Sequence, residues 1–402
     1  MIYEYEIKIL SPTVVTERIG KLGYTTHRQF INGSVVRGAL LTKIYEDSPD
    51  KEELIIKELD KPTFSVSPAL FSEEKDLLRE IWPTHSLCKV SKTYRKLQES
   101  VKSRPIVSNL RYVIEGMGGI LERLKASEEK FMKIMVKKYQ QTGKREYHPV
   151  EFKRVQGAVA HKIKDNVWIL QNAKTEPIIN IALHRARGAV EPEMFFYYEA
   201  LLPGQKFKGF ISQKGSLLET LSNKEIITIG KGGSRGYGRA LLTLKETSTE
   251  DILDKMRVDK WKISEGDILV LEAFSSLGLD NSAYIVKGFD SIQSLKLPTP
   301  WMEEFGNIKG ALRLRLLEPL VGGTGYIDGF SIRTGLPKAR IKTLKIGSLL
   351  FYKVEKAEGN ALEVLTGALT YGLCSLASIG LSHVAPIIED PFPSPDKFIR
   401  EV

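Results

Sequence analysis

Residues Ile2 to Leu10 alternate apolar and polar positions, which predicts a half-buried strand closed by Ser11-Pro12. A polar segment with Arg18, Lys21, His27 and Arg28 follows. Asn32-Gly33 then marks a turn, Ser34 is placed as an N-cap, and the apolar run to Ile44 predicts a helix. Arg37 falls in the first turn of that helix, and a helix N-terminus with a nearby cation suits a phosphate.

From about Pro83 to Asn180 the strand alternation fades and lysines and arginines are dispersed through the chain. Ile120 to Tyr139 reads as a helix, with apolar Leu121, Leu124, Phe131, Ile134 and Met135. The interleaved Tyr94, Tyr112, Tyr139, Tyr147 and Trp168 are candidates for stacking on bases. The same residues also fit an insertion whose charges are merely solvated.

Strand signals then return. Ile178–His184 and Glu193–Leu202 flank Arg185-Ala-Arg-Gly188, Lys206–Ser212 alternates again, and Leu217–Leu221 is a short helix. A first unit ends near residue 247. A second opens with the strand Asp267–Ser276 and carries a glycine loop at Val321-Gly-Gly-Thr-Gly325. It continues through a strand over Ser348–Val354 and an apolar, helix-length run over Ala361–Ile379. Both halves follow the order strand, polar loop, glycine element, helix, which suits a duplicated α+β sandwich.

The densest chemistry lies in Gly230-Lys-Gly-Gly-Ser-Arg-Gly-Tyr-Gly-Arg239, with five glycines and three cations in ten residues. It separates the apolar stretches Glu225–Ile229 and Ala240–Leu244, both predicted strands. Glycines permit positive φ and close backbone approach, bare amides can line an anion-binding concavity, and Lys and Arg suit phosphate. No P-loop is present, because Gly232-Gly233 stands where Ser or Thr should open a helix. No dinucleotide fingerprint is present either, since Arg235 interrupts it and a strand follows. Spacing alone leaves two readings open, a turn for a sugar-phosphate backbone and a glycine hairpin with solvated charges.

The 402 residues suggest two domains, and a net charge of +10 favours an acidic partner such as nucleic acid. Cys88 and Cys374 lie too far apart in sequence to suggest a disulfide framework or a cysteine zinc site. No apolar run approaches the ~18 residues of a membrane span. The acidic, alternating N-terminus is unlike a signal peptide, so a cytoplasmic protein without membrane contact is expected.

The motifs Ile31-Asn-Gly-Ser-Val-Val-Arg-Gly-Ala-Leu40 and Gly230–Arg239 together resemble the RAMP superfamily of CRISPR-associated proteins. His184–Leu201 with Gly204–Gly209, and Gly335-Leu-Pro-Lys338 with Ile346-Gly-Ser348, are similar to the large two-domain RAMP subunit of type III effectors, especially subtype III-D. The resemblance implies an α+β chain of two ferredoxin-like (RRM-type) domains. These span residues 1–247, with a long helical, basic insertion at about 83–180, and residues 248–402. It implies a non-catalytic antiviral-defence subunit that caps the 5′ handle of the crRNA. Its partners would be the large signature subunit, a backbone RAMP subunit and, indirectly, target RNA. Ser34, Arg37, Arg185, Arg187, Lys231, Gly232, Gly233, Ser234, Arg235, Tyr237 and Arg239 are the expected RNA-binding residues, with Tyr237 either stacking on a base or packing under the loop.

The chain departs from the family pattern at three points. Asn32 stands where the family usually has Pro. Ser378–Ala385 keeps one glycine where a terminal glycine loop belongs, which suits a second domain that packs more than it contacts RNA. Cys88 is alone where some relatives cluster cysteines, so no zinc, and no other cofactor, is expected.

Superfamily relatives also include metal-independent endoribonucleases with a His acid or base, which makes crRNA processing the alternative activity. Of the six histidines, His27 is placed where such a residue would lie. Glu191 and Glu193 are close in sequence, but no Asp-x-Asp or His-Asp pair accompanies them to suggest metal catalysis, and Ser34 and Ser234 lack an obvious base. No catalytic residue is therefore expected.

Overall fold

Alternation in the Ile2–Ile9 strand buries Tyr5, Ile7 and Ile9 completely on one side. The strand lies central in an antiparallel sheet of the N-terminal unit, paired with Lys206–Gln213 on one side and Arg239–Thr247 on the other. The computed structural model describes residues 1–19, 23–91, 105–142, 152–183, 190–256, 261–278, 293–306, 308–327, 330–331, 336–337 and 341–398. The chain divides into two compact units. Unit 1 comprises Met1–Leu77, Gln171–Thr247 and Ser378–Gly380, and unit 2 comprises Leu78–Leu170, Ser248–Ala377 and Leu381–Val402.

In unit 1 the sheet runs Lys224–Thr228, Arg239–Thr247, Ile2–Ile9, Lys206–Gln213, Ala69–Phe71 and Phe30–Ile31, with Phe64–Val66 also on the Lys206–Gln213 strand. Tyr5 pairs with Leu244 on one side and Gly209 on the other. The helix Gly33–Asp47 lays Val36, Leu40 and Ile44 on this sheet, a spacing of four that keeps them on one stripe. Burying a side chain of that size contributes about 1.5–3 kcal/mol. Ser34 does not cap the helix. The helix begins at Gly33, and the Asn32 carbonyl accepts from the amides of Val35 and Val36.

A second sheet of unit 1 holds Thr175–Leu183, Val190–Leu201, Gly23–Thr26 and Thr16–Ile19. Thr175–Leu183 and Val190–Leu201 pair antiparallel, while Gly23–Thr26 joins Val190–Leu201 in parallel, with Tyr24 opposite Tyr198.

In unit 2 the main sheet runs Ser294–Leu297, Gly310–Val321, Leu349–Gly359, Ile268–Ala273 and Val384–Ile387, antiparallel throughout. The helix predicted over Ala361–Ile379 stops at Thr370. Gly372, at φ 73°, turns the chain before a short 3-10 segment at Ser375–Ile379.

Of the segment expected as an insertion in the first domain, the part up to Leu170 packs instead with the C-terminal half, and the part from Gln171 stays in unit 1. Leu87, Leu110, Val113 and Ile120 share a core with Val270, Leu349, Phe351 and Ile387. Trp82 Nε1 also donates to Glu272 Oε2 at 2.6 Å. Nor is the segment simply helical. Beside the helices Leu110–Ile114 and Ile120–Thr142 it forms two three-stranded sheets from strands of three or four residues. Such strands are too short for alternation to reveal. Among the described residues no helix is long and apolar enough to cross a membrane.

Candidate nucleic-acid interface

The Gly230–Arg239 loop connects the two sheet strands Lys224–Thr228 and Arg239–Thr247, and it is exposed along most of its length. Four of its glycines, 230, 232, 236 and 238, have φ between 78° and 85°. At Gly230 a Cβ would lie 2.2 Å from the Val14 carbonyl oxygen, and at Gly238 one would lie 2.1 Å from that of Ile229. Glycine is therefore required twice over at these two positions, by backbone conformation and by space.

The loop is stapled to the segment after the first strand. Lys231 N donates to Val14 O at 3.0 Å, Gly238 N to Pro12 O at 3.0 Å, and Arg239 N to Ser11 Oγ at 2.9 Å. The amides of Arg235, Gly236 and Tyr237 close a 3-10 turn on Gly232 and Gly233. Six loop amides are thus occupied internally, so the expected concavity of bare amides is largely absent. The donors that remain available on the loop are mainly its side chains. Lys231, Arg235 and Arg239 are exposed, and among the described residues none has a carboxylate within ion-pair distance. Ser234 is exposed at the turn. Tyr237 is half-buried against Gly232, where a Cβ would meet its ring at 2.7 Å, so it packs on the loop.

Lys231 has an aromatic neighbour that sequence reasoning missed. Its Nζ lies 3.9 Å from the Tyr24 ring centroid, and Tyr24 in turn lies 5.2 Å from Tyr198. Glu199 anchors this strand pair. It accepts from Thr26 N at 3.2 Å and Thr175 Oγ1 at 2.8 Å, and it pairs with Arg28. Burial pushes the Glu199 carboxyl up, but these hydrogen bonds and the Arg28 charge outweigh it and leave its pKa lowered. The run Phe195-Phe-Tyr-Tyr-Glu199 was the available sequence signal for this group.

Other expected contacts fall elsewhere. Arg37 does not face a ligand. Its side chain is 9% exposed, and Nη2 donates to Glu58 Oε1 at 3.1 Å and Glu58 O at 2.7 Å. Burial lowers the guanidinium pKa and Glu58 opposes that. Ser34 is exposed on the same helix. Arg185 and Arg187 lie outside the described residues. Two aromatics considered for base stacking are committed internally. Tyr112 is buried, bonded to Asp396 and covered by Lys130, and Trp168 is 2% exposed against Phe392. Tyr94, Tyr147 and the side chain of Tyr139 lie outside the described residues.

His27 is 17% exposed, packs against Phe30, and has its pKa pushed down to about 4 by burial. Glu17 Oε1, 4.0 Å away, does not offset that, and burial raises its own pKa. The imidazole is thus neutral at pH 7. Among the described residues no group of three His, Cys, Asp or Glu side chains could hold a metal ion.

The family model described as the RAMP superfamily matches residues 6–241, which contain the whole glycine loop. No curated protein matches the sequence. Several solved structures are similar. A chain of the type III-B Cmr-beta complex bound to cognate target RNA and AMPPnP is 12% identical, with 87% of this chain and 86% of that one covered and a TM-score of 0.44. Oligomeric Cmr4 from Pyrococcus furiosus is 16% identical over 61% of this chain and 99% of that one, with a TM-score of 0.27. A CRISPR-associated protein Cas6 is 7% identical over 96% and 98%, with a TM-score of 0.33. At these values the assignment rests on the sequence match, which spans more than half of the chain: it belongs to the RAMP superfamily.

Proposed function

We propose that this chain is a non-catalytic RNA-binding subunit of a type III CRISPR effector, and that its Gly230–Arg239 loop grips the repeat-derived 5′ end of the guide RNA. The observation that carries this reading is the rigid, exposed loop with three cations unanswered by any described carboxylate. The loop backbone is pinned and Lys231 is held against Tyr24, so less freedom is lost when a phosphate arrives. The Lys231–Tyr24 pair adds an aromatic surface beside the backbone track, the combination that single-stranded RNA favours.

The fold is compatible with this reading. In unit 1, the strands Arg239–Thr247, Ile2–Ile9, Lys206–Gln213 and Ala69–Phe71 are neighbours in the order fourth, first, third, second. In unit 2, Val384–Ile387, Ile268–Ala273, Leu349–Gly359 and Gly310–Val321 repeat that order. This is the antiparallel arrangement of a ferredoxin-like sheet, and we read both units that way. The large signature subunit and a backbone RAMP subunit are the proposed protein partners, with target RNA met only through the guide.

The endoribonuclease alternative has less support. A general acid or base works best with a pKa near the operating pH, and His27 lies far below it. Incubating the protein with precursor repeat RNA in EDTA separates the two readings. Binding without cleavage is expected; site-specific cleavage that His27→Ala abolishes would reverse the assignment.

A further inference from the structure

The second glycine stretch, Val321–Gly325, takes no part in the interface described above. It leads into the strand Thr324–Ile327, which pairs antiparallel with Ile341–Leu344 inside unit 2. Tyr326 stands directly opposite Lys342, so the two side chains share one face of the ladder. Tyr326 has an interaction of its own and still leaves 61% of its surface exposed, and Lys342 is also exposed. Lys345 follows on the next turn. A Cβ at Gly323 or Gly325 would lie 3.3 Å from its side-chain carbons, so its stem crosses the glycine backbone, and the residue remains exposed. Among the described residues neither lysine has a carboxylate within ion-pair distance.

This surface is held rigidly from behind. Gln156 Nε2 donates to Ile346 O at 3.2 Å and Ser348 Oγ at 3.1 Å, while its Oε1 accepts from Gly323 N at 3.2 Å. Ser86 Oγ donates to Val321 O at 2.9 Å, and Lys345 N to Gly323 O at 2.8 Å. Two neutral side chains thus fix the glycine strand without neutralising the lysines. A neighbouring pair of arginines on the main sheet of unit 2 lacks that property. Arg313 and Arg315 both lie within 3.8 Å of Glu355, which answers their charge locally.

We propose that Tyr326, Lys342 and Lys345 form a second contact for single-stranded RNA. Tyr326 stacks on a base, and the two ammonium groups meet the flanking phosphates. This assigns unit 2 a direct RNA contact, where the lone glycine of Ser378–Ala385 had suggested a packing role. The inference rests on the RNA-binding reading of the whole chain. An aromatic face accepts any base and lysine accepts any phosphate, so the contact carries affinity without sequence choice.

The test measures binding of the full-length protein to a fluorescent single-stranded RNA that carries the repeat-derived tag and a guide segment. Salt is varied and thermal melting is recorded for every variant. Tyr326→Ala should weaken binding about tenfold, with Tyr326→Phe near wild type, as expected of stacking. Lys342→Ala/Lys345→Ala should lower the slope of log affinity against log salt by about 1.4. Melting should be unchanged in all three. If these variants bind as wild type while Arg235→Ala/Arg239→Ala loses affinity, the unit 2 contact is refuted and the primary reading stands. If wild type binds no RNA, both fail. If the variants keep RNA binding but lose co-purification with a neighbouring subunit, the surface takes protein and the proposal is overturned.

Discussion

Lys231 Nζ sits 3.9 Å from the centroid of the Tyr24 ring, joining the glycine loop to a strand that precedes it by some two hundred residues in sequence. The contact gives the loop a defined orientation. It also keeps the ammonium exposed, because only one side is taken by the ring. Tyr24→Ala should therefore weaken RNA binding a few-fold through Lys231 without greatly changing stability, since exposed pairs of this kind contribute about 0.5–1 kcal/mol. Titration of labelled guide RNA against wild type, Tyr24→Ala, Lys231→Ala and the double variant checks this. The double variant should lose no more than Lys231→Ala alone.

Glycine 230 and glycine 238 make a sharper prediction. A methyl group at either would meet a backbone carbonyl at 2.2 or 2.1 Å, at positive φ. Gly230→Ala or Gly238→Ala should distort the loop and reduce RNA affinity at least as much as losing one cation. Gly236→Ala, whose Cβ would meet nothing within 4 Å, should be milder. Affinity and far-ultraviolet circular dichroism measured together distinguish a reshaped loop from an unfolded sheet.

The Arg37–Glu58 pair is structural. Its side chains are 9% and 1% exposed, so Arg37→Ala leaves Glu58 buried without its cation. Loss of one partner of a buried pair costs about 3–5 kcal/mol. Denaturant unfolding should show a loss of that order, and Arg37→Met/Glu58→Leu should recover much of it. RNA affinity of the folded fraction should not change.

His27 gives acid sensitivity a defined sign. Its folded pKa is about 4, while an unfolded His titrates near 6.5. Between those values the unfolded chain binds more protons, so its contribution is complete above pH 6.5 and is lost as pH falls towards 4. The upper bound is about 3 kcal/mol. Unfolding free energies measured from pH 7 to pH 4 should fall less steeply for His27→Gln than for wild type.

The glycine loop was legible because glycines and cations interleave between two apolar strands, a local pattern that survives folding. The Ile2–Ile9 strand and the helix over 33–47 were legible for the same reason, since each carries its own periodicity. Arg37 misled because the deciding partner, Glu58, lies 21 residues away and meets it only after the helix docks. Tyr24 sits in a four-residue strand without alternation, and its role depends on pairing with Tyr198. The assignment of residues 78–170 to unit 2 rests on contacts such as Trp82 to Glu272, 190 residues apart, which no local pattern announces.

The central claim is that the three loop cations hold RNA phosphates, and the salt dependence of guide-RNA binding tests it most directly. Removing Lys231, Arg235 and Arg239 together should weaken affinity and lower the slope of log affinity against log salt by about 2, from roughly 0.7 per phosphate contact on a single strand. A triple variant that folds normally and keeps both the wild-type affinity and the wild-type slope would contradict the account.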